Sequence, residues 1–234
     1  MAPVHFGDGL PALSSLDEGW PVRAAIFDCD GLLIDTEHCW HAAYRAAAAH
    51  VGCPLEELPL DSLNGASVAS ASERLSSALG QPISSRFVQR ALEAEVTARP
   101  HTLLPGAMDL LSALHGVVPL AVASNAPLPV VDAVLTAAEA RSFFAEIVTP
   151  EAVPAPKPSP DVYLEACFRL SVDPSAAVAF EDSAIGAEAA RAAGIRLVAV
   201  PSEPGTEIEA QICAERLDDP RILALLGGCA SRRA

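Results

Sequence analysis

Apolar residues in this chain follow two alternating rhythms. The run Val22-Arg23-Ala24-Ala25-Ile26-Phe27 is short, nearly unbroken and ends abruptly in Asp28-Cys29-Asp30-Gly31, as a buried parallel strand does where it meets a functional loop. Similar runs occupy residues 117–123, 177–180 and 195–200, with a weaker one at 146–148. Between them, apolar positions recur at helical spacing over 128–138, 160–170 and 183–193, and Gly194 supplies a stop for the last. This alternation predicts an α/β fold, a doubly wound parallel sheet with helices on both faces. Ligands bind such sheets beyond the carboxyl ends of the strands.

Residues 36–102 break the alternation. They hold no convincing strand and read as several helices: Val68, Ala71, Leu75 and Ala78 share one helical face, and Phe87, Ala91 and Leu92 continue the theme. An alanine-rich stretch (Ala42, Ala43 and Ala46 to Ala49) favours the first helix by propensity. The expected organisation is a loose N-terminal arm over 1–20, a core built from 21–35 and 103–234, and a small helical cap over 36–102. The cap would sit over the active edge of the sheet, hinged at 33–36 and 100–105.

Composition narrows the partners. The chain has 234 residues, 51% of them hydrophobic, enough for a full core. Its formal charge of −15 and pI near 4.6 argue against nucleic acid or an anionic membrane surface, which would repel it. A small anionic substrate would need positive charge supplied locally. Six cysteines are scattered without a C-x-x-C pair, which suits reduced thiols in a cytoplasmic protein better than a disulfide or zinc framework. The first twenty residues lack the basic start and apolar run of a secretory signal. No apolar stretch reaches the roughly 18 residues a membrane span needs.

The chemistry clusters at the predicted strand ends. Residues two apart on a strand face the same way, so Asp28 and Asp30 share a face, and two such acids repel unless a cation or proton lies between them. Glu181-Asp182 closes another apolar run and Ser124-Asn125 a third, bringing more carboxylates, a hydroxyl and backbone N–H groups to the same edge. Hard carboxylate oxygens suit Mg2+. Lys157, between Pro156 and Pro158, is the single lysine in the chain. A lysine presented so stiffly suits a point-charge clamp on phosphate, although one standing alone is more often a solvated loop residue.

Four segments together resemble the haloacid dehalogenase superfamily: residues 28–37 (Asp28 through Glu37), Val122-Ala123-Ser124-Asn125, Lys157-Pro158-Ser159-Pro160-Asp161, and Phe180 through Gly186. The helical block after the first segment resembles that family's cap. The resemblance implies a Mg2+-dependent phosphatase acting on a small phosphorylated metabolite, a sugar phosphate or a related compound. Asp28 would be the nucleophile and Asp30 the general acid and base. Asp28, Asp182, the Asp30 carbonyl and Glu181 would serve the metal, while Ser124, Asn125 and Lys157 would hold the phosphoryl group. Thr36 and Glu37 would line the substrate pocket. His38 and His41 read as solvated helix positions, and Trp40 and Tyr44, one turn apart, as packing within the cap.

Three rival readings remain. A phosphomutase of the β-phosphoglucomutase kind shares the fold, but such mutases carry a histidine where this chain has Trp40 and a cap arginine where it has Val68. Trp40 would instead present an apolar wall to a sugar ring or alkyl chain. A dehalogenase would need neither Asp30 nor the Glu181-Asp182 pair. A silent binding module would be expected to lose a motif residue, and none is missing.

Overall fold

The Val22 run forms strand β1 (Ala24–Phe27), buried along its whole length. The computed structural model describes residues 22–53, 58, 60–203, 205–222 and 224. The expected arm over 1–20, His5 within it, and Cys229 lie outside the described residues. Five further strands follow: β2 (Leu120–Ala123), β3 (Glu146–Val148), β4 (Ala177–Glu181), β5 (Arg196–Ala199) and β6 (Ile212–Cys213). They pair in parallel in the order β3-β2-β1-β4-β5-β6. The chain builds outward from β1 to β3, then returns to lay β4 on the other side of β1. That reversal opens a crevice at the carboxyl ends of β1 and β4.

Strand alternation gives the sheet two different faces. Ala24, Ile26, Ala121, Ala123, Ala177 and Ala179 form a smooth surface under α6 (Asp161–Arg169) and α7 (Ala184–Ala192), whose own contacts are also mostly small. The opposite face carries Phe27, Val122, Val178 and Phe180 against α4 (Ala107–Leu114) and α5 (Leu128–Ala137). Phe27 and Phe180 are register partners, stacked at 4.6 Å with 5° between planes, and Phe144 meets Phe27 edge-on. Truncating either of the stacked rings to alanine removes about 3–5 kcal/mol. This rigid platform ends one residue short of Asp28 and Glu181.

The expected helices at 128–138, 160–170 and 183–193 are present as α5, α6 and α7, each within a residue or two of its expected ends. The weak run at 146–148 is a true strand, β3. Strand β2 starts later than its apolar run suggests, because the N–H groups of Val117 and Val118 both turn back to the Leu114 carbonyl to end α4. Helix α4 and the two-residue β6 escape the sequence pattern, being too short to show a period.

The block between β1 and β2 begins with three helices: α1 (Glu37–His50), α2 (Val68–Leu79) and α3 (Ser85–Thr97). Ser67 caps α2 by accepting the Ser70 N–H, and Gly80 ends it in the left-handed region. Val68, Ala71 and Leu75 are buried as expected, but Ala78 is exposed and Leu79 takes the next inward position. In α3 the stripe centres on Val88, Leu92 and Val96, with Phe87 and Ala91 on its flank. The two chain passages into and out of the block lie side by side: Ile34 bridges Leu103, and Leu104 N–H donates to the Leu33 carbonyl at 2.7 Å. No helix among the described residues is long and apolar enough to cross a membrane. Cys29, Cys39, Cys53, Cys167 and Cys213 are free thiols.

Candidate active site

Because Phe27 and Phe180 are in register, the next residues, Asp28 and Glu181, emerge side by side at the sheet edge. Lys157, from the loop before α6, reaches between them. Its Nζ lies 2.5 Å from both Asp28 Oδ1 and Glu181 Oε1, and its side chain is 2% exposed. Burial alone would push this ammonium down, but the two carboxylates together more than reverse that, so it stays charged. The Tyr163 hydroxyl, from the buried face of α6, donates to the same Glu181 oxygen, and the Tyr163 ring lies 5.0 Å from the Lys157 nitrogen.

One ammonium does not balance the acids. The carboxylate oxygens of Asp28, Glu181 and Asp182 lie within 4.8 Å of one another, and all three residues are buried. Burial lifts Asp28 well above the usual carboxylate range; Lys157 opposes it, while Glu181, Asp182 and Asp30 add to it. Asp182 is pushed up to about 7, by burial first and Glu181 second. Hard oxygen donors around an uncompensated negative charge are the chemistry a small divalent cation requires, so the residues present fit Mg2+. Two glycines keep this cluster compact. A Cβ on Gly31 would strike the Asp182 carboxylate, and one on Gly186 the Glu181 carboxylate.

Asp30 stands apart from the cluster. The Thr36 hydroxyl donates to its Oδ1, and Ser124 Oγ lies 3.5 Å from its Oδ2. Burial raises its pKa, while hydrogen bonds from Thr36 and Trp40 hold it down. An acid lifted from its ordinary value yet tethered at several points is suited to proton transfer.

These residues open into a cavity of about 550 Å3. Asp28, Asp30, Ser124, Asn125, Lys157, Asp182 and Glu37 all line it. Two expected substrate contacts are otherwise engaged. Thr36 is fully buried and does not line the cavity, its hydroxyl being committed to Asp30. The Asn125 side chain is occupied by main-chain groups of Lys157 and Gly65. Glu181, fully buried, sits behind Lys157 rather than on the cavity wall. His38 is a surface residue, whereas His41 is half-buried, 3.6 Å from Glu37.

A family model described as haloacid dehalogenase-like hydrolase matches residues 22–194. The chain belongs to this family. Among haloacid dehalogenase-like relatives, hexitol phosphatase B of Escherichia coli strain K12 is 35% identical over 191 residues, covering 77% of this chain and 84% of its own. The crystal structure of CbbY from Rhodobacter sphaeroides in complex with phosphate aligns with a TM-score of 0.76 at 28% identity, covering 88% of this chain and 99% of that one. A CbbY variant in complex with xylulose-(1,5)bisphosphate aligns at 0.73 with 27% identity, covering 85% and 96%.

Some residues of this haloacid dehalogenase-like site are not evident from the sequence motifs. Tyr163 is one, and its signal is faint: a polar tip within the buried stripe Val162, Tyr163, Ala166, Cys167. Trp40 and Tyr44 pack together at 5.8 Å, and Trp40 lines the cavity as its reading as an apolar wall expects; that Tyr44 lines it too was not expected. The Gly65 carbonyl and the wall residues Glu203, Glu215 and Arg216 come together only through folding.

Proposed function

We propose that this protein is a Mg2+-dependent phosphatase that hydrolyses a small sugar phosphate or related phosphomonoester through an aspartyl-phosphate at Asp28. The observation that carries the reading is Lys157 held between Asp28 and Glu181 beside the buried Asp182. It supports the reading because a carboxylate able to act as nucleophile, a phosphate-compatible cation and a metal-fitting acid set stand close together. The named activity of hexitol phosphatase B supports the same chemistry.

Asp28 attacks phosphorus through its free oxygen, Oδ1 being paired with Lys157. The phosphorus–oxygen bond to the substrate breaks, and Asp30 gives its proton to the departing oxygen. Asp30 then takes a proton from water as that water attacks the aspartyl-phosphate, freeing phosphate and restoring Asp28. Lys157, the Ser124 hydroxyl and nearby main-chain N–H groups, including that of Asn125, hold the phosphoryl oxygens. Mg2+ would be held by the Asp28 and Asp182 carboxylates and the Asp30 carbonyl, with Glu181 close to the same point. When bound it neutralises charge on the transferring group. Residues 36–102 act as a cap that shields the intermediate from bulk water.

The test is phosphate release from a hexitol phosphate with Mg2+ and with excess chelator, for the native protein and for Asp28→Asn. The reading expects turnover only in the native protein with metal. Activity of Asp28→Asn within about tenfold of native would overturn the covalent route. Full activity in chelator would overturn the metal requirement.

A further inference from the structure

The outer wall of the cavity is predominantly acidic. Asp35 and Glu37 enter it at the start of α1, Glu203 after β5 and Glu215 after β6. Among the described residues, this outer wall has one cation, Arg216. Its Nε and Nη2 donate to Asp218 Oδ1 and Oδ2 at 2.9 and 2.7 Å, so its fork is already filled by a carboxylate. Glu203 accepts a hydrogen bond from Asn64, a neutral donor that orients the carboxylate without cancelling it. His38 and His41 lie 4.0 and 3.6 Å from Asp35 and Glu37, and offset them only when protonated. Deeper in, Lys157 is committed to Asp28 and Glu181.

We propose that this wall makes the protein selective for monophosphates whose remainder is a neutral or cationic polyol, and that it rejects substrates carrying a second phosphate or a carboxylate. The proposal rests on the cavity being a phosphatase site. Its single phosphoryl position, at Asp28 and Lys157, satisfies one anion. A second anion would stand among Asp35, Glu37, Glu203 and Glu215 with no uncommitted cation among the described residues of the wall, in a cleft where charges interact more strongly than in open water. Hydroxyl and ammonium groups meet the opposite situation, since each carboxylate oxygen accepts their hydrogen bonds. Trp40, also on the wall, adds aromatic surface that suits the C–H side of a ring and attracts an amine. Discrimination therefore comes from repulsion of the wrong substrate as well as attraction of the right one.

The experiment compares kcat/KM, with Mg2+ present, for sorbitol 6-phosphate, glucosamine 6-phosphate, 6-phosphogluconate and fructose 1,6-bisphosphate. p-Nitrophenyl phosphate reports the chemistry alone. The expected result is that the first two exceed the last two sugars by about tenfold or more, the gap narrowing as salt rises. In Glu203→Gln/Glu215→Gln the ratio of bisphosphate to sorbitol phosphate efficiency should rise about threefold or more. Efficient turnover of the bisphosphate or the phosphogluconate, or a ratio unmoved in the double variant, would overturn the selectivity while leaving the phosphatase reading intact. So would bisphosphate turnover that collapses in Arg216→Ala, since it would make Arg216 a second phosphate clamp. No release from any substrate, p-nitrophenyl phosphate included, would overturn both.

Discussion

The carboxamide of Asn125 grips the Lys157 main chain at two points: Lys157 N–H donates to Oδ1 at 2.9 Å, and Nδ2 donates to the Lys157 carbonyl at 3.1 Å. The same Nδ2 lies 2.7 Å from the Gly65 carbonyl. One side chain therefore joins the loop after β2, the loop that presents the lysine and the segment before α2. Its three hydrogen bonds use both ends of the amide, which an isosteric acid cannot do.

Asn125→Asp should accordingly be worse than its shape suggests. It sets a carboxylate oxygen against two carbonyls, leaving both without their donor, and should cost about 2–3 kcal/mol. In a domain of this size that is about 4–12 °C in Tm. Loosening Lys157 should also lower kcat/KM by about tenfold or more. Thermal melting and phosphate-release kinetics on the purified variant check both, and a melting temperature unchanged within a degree would refute the bridge.

Asp30→Asn separates proton transfer from binding. Turnover of a sugar phosphate, with its poor leaving group, should fall by about 10²-fold or more. The first step with p-nitrophenyl phosphate should suffer far less, because that oxygen leaves without a proton. Rapid mixing should show a burst of nitrophenol followed by slow turnover. Native-like turnover of the sugar phosphate would remove Asp30 from the chemistry.

The buried acids make a prediction about stability and pH. Asp182 is held at about 7 in the metal-free fold, against an ordinary value near 4. Between those values the folded state binds the proton that the unfolded chain has released, so the slope of stability with pH is negative. The metal-free protein should lose stability from about pH 4 to about 7 on account of Asp182, and Asp28, shifted the same way, adds to the fall. Mg2+ should reverse it, raising the melting temperature more at pH 8 than at pH 5, where protons compete for the same oxygens. Melting curves across that range, with Mg2+ or chelator, decide it; a metal effect independent of pH would count against Asp182 as a ligand.

Helix α6 ends with a residue poorly suited to its place. Ser171 has φ 55°, and the N–H groups after the helix close back on it, Ser171 to Phe168 and Val172 to Cys167. Gly194 holds the equivalent place after α7 with φ 74°. Ser171→Gly should remove a steric cost of about 1–2 kcal/mol and lose part of it to added freedom in the unfolded chain. A net gain of about 0.5–1 kcal/mol is expected in denaturant unfolding. Destabilisation would mean that the serine side chain contributes something its backbone geometry does not reveal.

The order of strands and helices in the core was legible in the chain because periodicity is a local property. Buried parallel strands read as short apolar runs, and the acids, serine and lysine of the site stand beside them where each strand ends. Local reading failed where length or partnership mattered: α4 and β6 were too short, and Ala78 sat on a face whose inward side depends on what α3 covers. Only the tertiary structure decided that β4 lies against β1, which puts Asp28 level with Glu181 across many residues of sequence. It also turned Thr36 toward Asp30, engaged Asn125 with Lys157 and Gly65, and brought Tyr163 onto Glu181. Those are contacts between distant segments, set by sheet register and helix packing, and no spacing along the chain encodes them. The charge of the cavity wall is of the same kind: Glu37 was expected there from the family resemblance, but Asp35, Glu203 and Glu215 are unremarkable surface acids until the fold places them around one space.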